Sequence, residues 1–280
     1  MSIELPEAKI LAEQMNKELE GKRINSHHLR DYERLQKIGF MNKDIKSFNQ
    51  LMGRKIESVT SRGNTIRIEL DAKLNLILSP EYGGEVFYHS HGATVPREFH
   101  LRIDFSDGTA LTVRLTSMGG IHVLRDDELM DSYMYKRDFN PDILSPIDET
   151  FTFNNFSKLL QDNNKALKSI LVGKDAVVVG LSNSAFQDII YRAKLHPKRK
   201  ASELNSDEQR ALYDAVKLVL HERIRLNGKN QFSDLHQKQG RYVSAMGPNM
   251  RKQNCPVCHT PIEELSLGGG KVFVCPKCQK

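Results

Sequence analysis

Cys255-Pro256-Val257-Cys258 and, after sixteen further residues, Cys275-Pro276-Lys277-Cys278 decide how this chain is read. They hold all four of its cysteines, inside the last 26 residues. Disulfides that stabilise a secreted fold are normally spread along a chain, so this clustering speaks against them. Each C-x2-C knuckle presents two thiolates to one metal ion, and the loop between the knuckles brings the pairs together as a tetrahedron. The spacing is that of a zinc ribbon, with Cys255, Cys258, Cys275 and Cys278 as ligands of one structural Zn2+. With four thiolates on the ion, no position is left for catalysis. The competing reading, two redox-active CxxC pairs, lacks a βαβ context before either pair.

Upstream of the knuckles, Gly228 to Lys252 is polar and glycine-containing and reads as a linker. Before it, Ser206 with Gln209 resembles a capping box that opens a helix through Leu212, Val216, Val219 and Leu220 to Ile224, closed by Asn227-Gly228. Phe156, Leu159, Leu160, Leu167 and Ile170 continue the helical spacing back to Pro146. From about Lys55 to Leu124 the period changes to two, as in Thr65-Ile66-Arg67-Ile68-Glu69-Leu70 and Leu101-Arg102-Ile103-Asp104-Phe105. Gly83-Gly84 and Asp107-Gly108 supply turns, and the pattern predicts an antiparallel β-sandwich. The first element is a helix: Pro6 suits its first turn, and Ala8, Leu11, Met15 and Leu19 share a face. The predicted fold class is α+β and multi-domain. A helix and β-sandwich occupy residues 1–140, a helical domain 141–240 and the zinc module 241–280.

Composition agrees with a globular protein of about this size. The 280 residues are 39% hydrophobic and 27% charged, which excludes disorder and fibrous repeats. No apolar run approaches the ~18 residues of a membrane span, Ala176 to Leu181 being among the longest. Glu4 and Glu7 do not suit a secretory signal. A cytoplasmic, nucleoid-associated monomer with no membrane partner is expected. The net charge is +6. Arg192, Lys194, Lys198, Arg199 and Lys200 cluster around His196-Pro197, and the last forty residues are also basic. For one cluster alone, solvated surface is the bland alternative. Beside a zinc module, the lysines and arginines point to nucleic acid, where they replace phosphate counterions.

Residues across nearly the whole chain resemble the formamidopyrimidine-DNA glycosylase and endonuclease VIII family. Glu4-Leu5-Pro6-Glu7 is similar to the family's N-terminal Pro-Glu-Leu-Pro-Glu signature. Val179-Gly180-Leu181-Ser182-Asn183 resembles the turn of its helix–two-turn–helix motif, and Ala193-Lys194-Leu195-His196-Pro197 fits the end of that segment. The two cysteine knuckles match its C-terminal zinc finger. The resemblance implies a base-excision repair protein that binds double-stranded DNA containing a damaged base and rotates the damaged nucleotide into a pocket. It carries Asn183 over as a phosphate ligand, which a helix-opening turn would suit in any case. Met118 becomes an apolar wedge in the duplex. Arg62, Lys198, Arg199 and Lys271 complete the expected DNA contacts.

The departures bear on chemistry. The family nucleophile is an N-terminal proline, and here Ile3 stands at that place with Ser2 before it. Ser2 is small enough for Met1 removal, and its α-amine would titrate near pH 8. That amine would lie up to about 3.8 Å from the family position. Asn64 follows Arg62-Gly63 where the family has a lysine, Gly270 replaces an arginine, and Thr116-Ser117-Met118-Gly119 replaces Arg-Arg-Phe-Gly. Abasic-site lyase activity is therefore disfavoured. Glu4, Glu7 and Ser2 remain the candidate catalytic groups, with Glu4 activating water for N-glycosyl hydrolysis or Ser2 acting as the amine. A different class stays open: a catalytically silent protein that binds lesions or bent DNA. Acidic residues in a first turn also serve simple helix-dipole complementarity. His89-Ser90-His91 with His100 reads as surface histidines rather than a metal site. Gly268-Gly269-Gly270-Lys271 reads as a hairpin tip rather than a phosphate loop. Asp188 receives no catalytic role.

Overall fold

The computed structural model describes residues 3–172 and 176–280. The chain divides into two compact units. One comprises the residues up to Asn140 together with Leu226–Arg241; the other comprises Pro141–Arg225 and Tyr242–Lys280.

In the first unit, α1 (Leu5–Leu19) carries Pro6 in its first turn. The face formed by Ala8, Leu11, Met15 and Leu19 is fully buried. At roughly 1.5–3 kcal/mol for each large apolar side chain, that face holds the helix far more strongly than its propensity does. β1 (Ile24–Leu29), α2 (Tyr32–Lys37) and α3 (Lys46–Asn49) follow, then β2 (Ile56–Arg62), β3 (Thr65–Leu70) and β4 (Leu74–Tyr82). β5 (Glu85–His89), β6 (Leu101–Phe105), β7 (Ala110–Arg114), β8 (Met118–Arg125) and α4 (Tyr133–Asp138) complete the run. The strands form two four-stranded antiparallel sheets, ordered β1-β6-β7-β5 and β2-β3-β4-β8. Leu101, Ile103 and Phe105 from one sheet meet Ile66, Ile68 and Leu70 from the other in a single core with α1, as the period of two predicts.

The β2–β3 turn needs its glycine. Gly63 has φ +57°, and a Cβ there would lie 2.7 Å from Asp138 Cγ. That close approach lets the Asp138 carboxylate accept from Asn64 N at 3.0 Å and from Thr65 Oγ1 at 2.7 Å. The stretch read as a linker from Gly228 is not a free connector in its first half. Phe232 and Leu235 are fully buried in the sandwich core, Leu235 O accepts from Tyr88 N at 3.0 Å, and Asp234 ties Gln14 to Asn227. Two large apolar side chains three residues apart outweigh the polar composition around them.

In the second unit, α5 (Phe153–Gln161), α6 (Leu167–Val172), α7 (Asn183–Arg192) and α8 (Ser206–Arg225) precede the hairpin β9 (Glu263–Leu267) and β10 (Gly270–Val274). α8 ends as predicted, with Asn227 and Gly228 at positive φ. Its start is shifted by one residue. The reciprocal cap is made by Asn205 and Glu208, each donating its backbone N–H to the other's side chain at 2.9 Å. Gln209 is buried instead, bonded to Leu204 O and Ser157 Oγ, so packing rather than capping selects it. Among the described residues, no helix is long and apolar enough to cross a membrane.

Candidate functional site

The four cysteines converge. Their sulfurs all lie within 4.8 Å of one another, with Cys255 to Cys278 at 3.8 Å and Cys258 to Cys275 at 3.4 Å. A tetrahedron with metal–sulfur bonds of about 2.3 Å has edges of about 3.8 Å, so the donor set fits a tetrahedral thiolate-binding metal ion. Cys255 N donates to Thr260 O at 2.8 Å, and Gln279 Oε1 accepts from Cys275 N at 2.9 Å, which fixes one thiol of each knuckle. Tyr191 Oη lies 3.3 Å from Cys255 Sγ, and Met246 and Phe273 pack against the cluster. It is the one group of metal-binding geometry among the described residues.

The histidines do not form a second one, and two are not surface residues as expected. His89 is buried with Nε2 2.8 Å from Thr112 Oγ1, and His100 Nδ1 accepts from Leu115 N at 2.8 Å. Burial lowers the pKa of both. Each ring is spent on the local backbone or a neighbouring strand.

Asn183 opens α7 after the extended Ser182 and Gly180, whose φ is +80°. Its Nδ2 donates to Lys271 O at 2.8 Å, and one turn later Gln187 Oε1 accepts from Phe273 N at 2.8 Å. Lys168 Nζ donates to Leu267 O at 2.6 Å, and burial lowers its pKa. The hairpin of the cysteine module is thus fastened to the start of α7 and to α6 by three side chains. Sequence reasoning named Asn183 alone. Gln187 sits four residues on, on the same helical face, and that spacing was the available signal; Lys168 had none. Lys271 Nζ pairs with Glu264 at 2.5 Å, and Arg251 reaches the same carboxylate. Lys198 is exposed, whereas Arg199 grips both oxygens of Glu208 at 2.9 and 3.0 Å. Asp188 is buried and takes Arg192, Tyr242 and the backbone of Ala245, a packing role.

In the sandwich unit, the N-terminal signature is deeply placed. Ile3 is 1% exposed and donates its backbone N–H to Glu81 O at 2.8 Å. Glu4 and Glu7 are fully buried. Glu7 accepts from the backbone N–H groups of Glu4 and Lys229, both at 3.2 Å. Lys229 Nζ lies 3.8 Å from Glu4 Oε2. No local pattern pointed to Lys229, which reaches Glu4 only because residues 226–241 fold back onto α1. Ser2 lies outside the described residues. Arg62 donates to the carbonyls of Asp138 and Asn140, so its guanidinium braces the chain after α4. Met118 is 57% exposed, and Thr116 Oγ1 donates to Tyr82 O at 3.0 Å.

Comparison with known proteins agrees with these features. Residues 3–116 match the N-terminal domain model of formamidopyrimidine-DNA glycosylase, and residues 143–234 match its H2TH domain model. The Streptococcus pneumoniae protein named formamidopyrimidine-DNA glycosylase is 28% identical over 289 residues, covering 99% of this chain and 98% of its own. The Bacillus cereus protein of that name is 25% identical over 241 residues, 84% of this chain and 85% of its own. Among solved structures, the Lactococcus lactis protein bound to N7-benzyl-Fapy-dG DNA superposes with a TM-score of 0.84 at 23% identity, covering 99% of each chain. A complex of MutM with carbocyclic 8-oxo-G DNA gives 0.81 at 23% identity, again over 99% of each chain. With both domain models in chain order, spanning nearly three quarters of the sequence, the chain belongs to the formamidopyrimidine-DNA glycosylase family.

Proposed function

We propose that the protein binds double-stranded DNA containing a damaged base and releases that base by hydrolysis, without a covalent enzyme–sugar intermediate. In this reading residues 1–140 carry the chemistry together with Leu226–Arg241, which pack in the same unit, and the rest of 141–240 with 241–280 grip the DNA. Glu4 takes the proton of a water that adds to the sugar C1′ as the bond to the base breaks. Glu7 positions Glu4 through the helix start, and Lys229 sets an ammonium beside its carboxylate. The observation that carries the proposal is at Ile3: where the family resemblance calls for a terminal amine, this chain has a peptide N–H committed to Glu81 O. Duplex DNA as partner is supported by the relatives' names and by the DNA complexes of the similar structures. Asn183, Met118, Arg62, Lys198, Arg199 and Lys271 are the proposed contacts. The metal held by Cys255, Cys258, Cys275 and Cys278 is Zn2+ in this proposal, holding the hairpin in shape. The protein works as a monomer at the nucleoid.

The test is base release from duplexes that each carry one lesion: oxidised purines, oxidised pyrimidines, an alkylated base, uracil, a crosslink or a pre-formed abasic site. Half of each reaction is treated with hot alkali. Strand breaks that need alkali support hydrolysis, and breaks without it overturn the proposal. A second reading, lesion binding without base release, is favoured by the complete burial of Glu4. Tight binding with no release from any duplex would select it.

A further inference from the structure

Hydrolysis without an enzyme amine exposes a positive charge. As the bond between C1′ and the base breaks, its electron pair departs with the base, and the charge spreads over C1′ and the ring oxygen of the sugar. The nitrogen of Ile3 is an amide, so no new C–N bond takes up that charge, and it must be met through space until water adds. Glu4 is poorly suited to meet it. Its carboxylate is fully buried and already lies 3.8 Å from the Lys229 ammonium.

Glu81, near the end of β4, is placed differently. Its backbone carbonyl holds the Ile3 N–H at 2.8 Å, and the residue lines a cavity of about 680 Å³ in the sandwich unit. Its side chain is 19% exposed, where that of Glu4 is 0%. Arg137, on α4 and also in the cavity wall, serves two carboxylates. Its Nε and Nη2 clasp Asp138 at 2.6 and 2.7 Å, and its Nη1 reaches Glu81 Oε1 at 2.6 Å. One guanidinium between two carboxylates leaves a negative charge in excess. Asp138 is buried and also accepts from Asn64 N and Thr65 Oγ1, so the excess falls at Glu81. Ser79 Oγ donates to the same Oε1 at 3.1 Å, which leaves Oε2 for a ligand. A held, half-buried carboxylate acts through a lower effective dielectric than an exposed one. Lys43 and Asp131 also line the cavity, but both are exposed and offset each other.

We propose that Glu81 is a second catalytic carboxylate, whose Oε2 lies against the sugar of the damaged nucleotide and stabilises the positive charge that develops at C1′ and the ring oxygen as the base leaves. The assignment rests on the hydrolytic reading above. Glu81 neither takes nor gives a proton. The water oxygen bonds to C1′, its proton passes to Glu4, and the departing base keeps the electron pair of the broken bond and takes a proton from solvent. Arg137 is a positioning residue: clamped on Asp138, it fixes the Glu81 carboxylate before the substrate arrives, so no reorganisation is needed as the charge forms.

The test uses the full chain and two duplexes, with a pyrrolidine or a tetrahydrofuran in place of the damaged nucleotide. The pyrrolidine is protonated at neutral pH and mimics the cationic sugar; the tetrahydrofuran is its neutral counterpart. The wild-type protein is expected to bind the pyrrolidine duplex about a hundredfold more tightly. Glu81→Gln keeps the size of the side chain and leaves the bond to Ile3, which the backbone carbonyl makes. It should bring the two affinities to within about threefold of each other and slow single-turnover base release about 100-fold, with tetrahydrofuran affinity unchanged. Glu81→Asp keeps the charge but withdraws it, and should fall between. Equal wild-type affinities, or a preference that survives Glu81→Gln, would overturn the assignment. Base release that needs alkali and is equally fast in wild type and Glu81→Gln would overturn it while leaving hydrolysis standing. No release by the wild type from any lesion duplex would overturn both readings.

Discussion

The backbone N–H of Ile3 donates to the carbonyl of Glu81 at 2.8 Å, tying the start of the chain to β4. A nitrogen in this arrangement is an amide: its lone pair is delocalised into the carbonyl, and its proton is already engaged. It cannot act as the amine of a Schiff base. Incubating the protein with an abasic duplex and sodium borohydride is therefore expected to give no covalent protein–DNA adduct. An adduct mapping to residue 2 would assign amine chemistry to Ser2 and reject the hydrolytic reading.

Glu4 and Lys229 are both buried and 3.8 Å apart, although 225 positions separate them in sequence. Glu4→Gln is expected to abolish base release while DNA affinity changes by less than about threefold, because the carboxylate faces the proposed reaction rather than phosphate. Lys229→Met leaves a buried carboxylate without its ammonium and should cost about 3 kcal/mol of stability by denaturant titration. Full base release by the Glu4 variant would remove it from the mechanism. An unchanged unfolding midpoint for the Lys229 variant would remove the pair as a structural element.

Gln187 accepts from Phe273 N at 2.8 Å, and both are buried. Gln187→Ala strands that N–H in the interface between α7 and β10, at a cost of about 1–3 kcal/mol. The variant should unfold at lower denaturant with an unchanged slope, and its affinity for DNA should fall because the hairpin is no longer held. A midpoint equal to wild type would mean that water satisfies the group.

Four sulfurs within 4.8 Å of one another, two of the pairs at 3.4 and 3.8 Å, suit one tetrahedral ion. Metal analysis of the purified protein should give one zinc per chain, and Cys258→Ser should lower that content and weaken DNA binding at least tenfold. The Tyr191–Cys255 contact and the Phe273 packing spread the damage beyond the ligands. Unchanged zinc content and affinity in the variant would reject a structural metal at these residues.

Much of this was legible in the residues themselves. The face Ala8, Leu11, Met15 and Leu19 specified α1, alternation specified the strands, and cysteine spacing specified the metal cluster, because each is a local pattern with one dominant geometry. The Glu4–Lys229 pair was not legible, since it depends on Phe232 and Leu235 finding the sandwich core, a long-range event with no local signature. Gln209 was misread as a cap because Ser206 stands three residues before it; the cap belongs to Asn205, and burial claims Gln209. Arg62 and Arg199 are expected as DNA contacts from their charge, and in the structure backbone carbonyls hold Arg62 and Glu208 holds Arg199. Charge is visible in a sequence, but its partners are not.

Burial lowers the pKa of His89, His100 and His122, all in the sandwich unit, below the ordinary histidine value of 6.5. The unfolded chain therefore binds protons at a higher pH than the folded one. Where the unfolded state holds more protons, stability rises with pH, so it must fall as pH drops from about 7 toward the folded-state values. The slope is at most about 1.4 kcal/mol per pH unit for each histidine. Carboxylates with lowered values, such as Asp107 at about 2, act only in a more acidic window and do not mask the effect. Denaturant midpoints are expected to be flat from pH 9 to about 7.5 and to decline between pH 7 and 5. His89→Phe should make that decline shallower, since its ring no longer titrates. A midpoint that holds or rises between pH 7 and 5 would mean that these rings are protonated in the folded state.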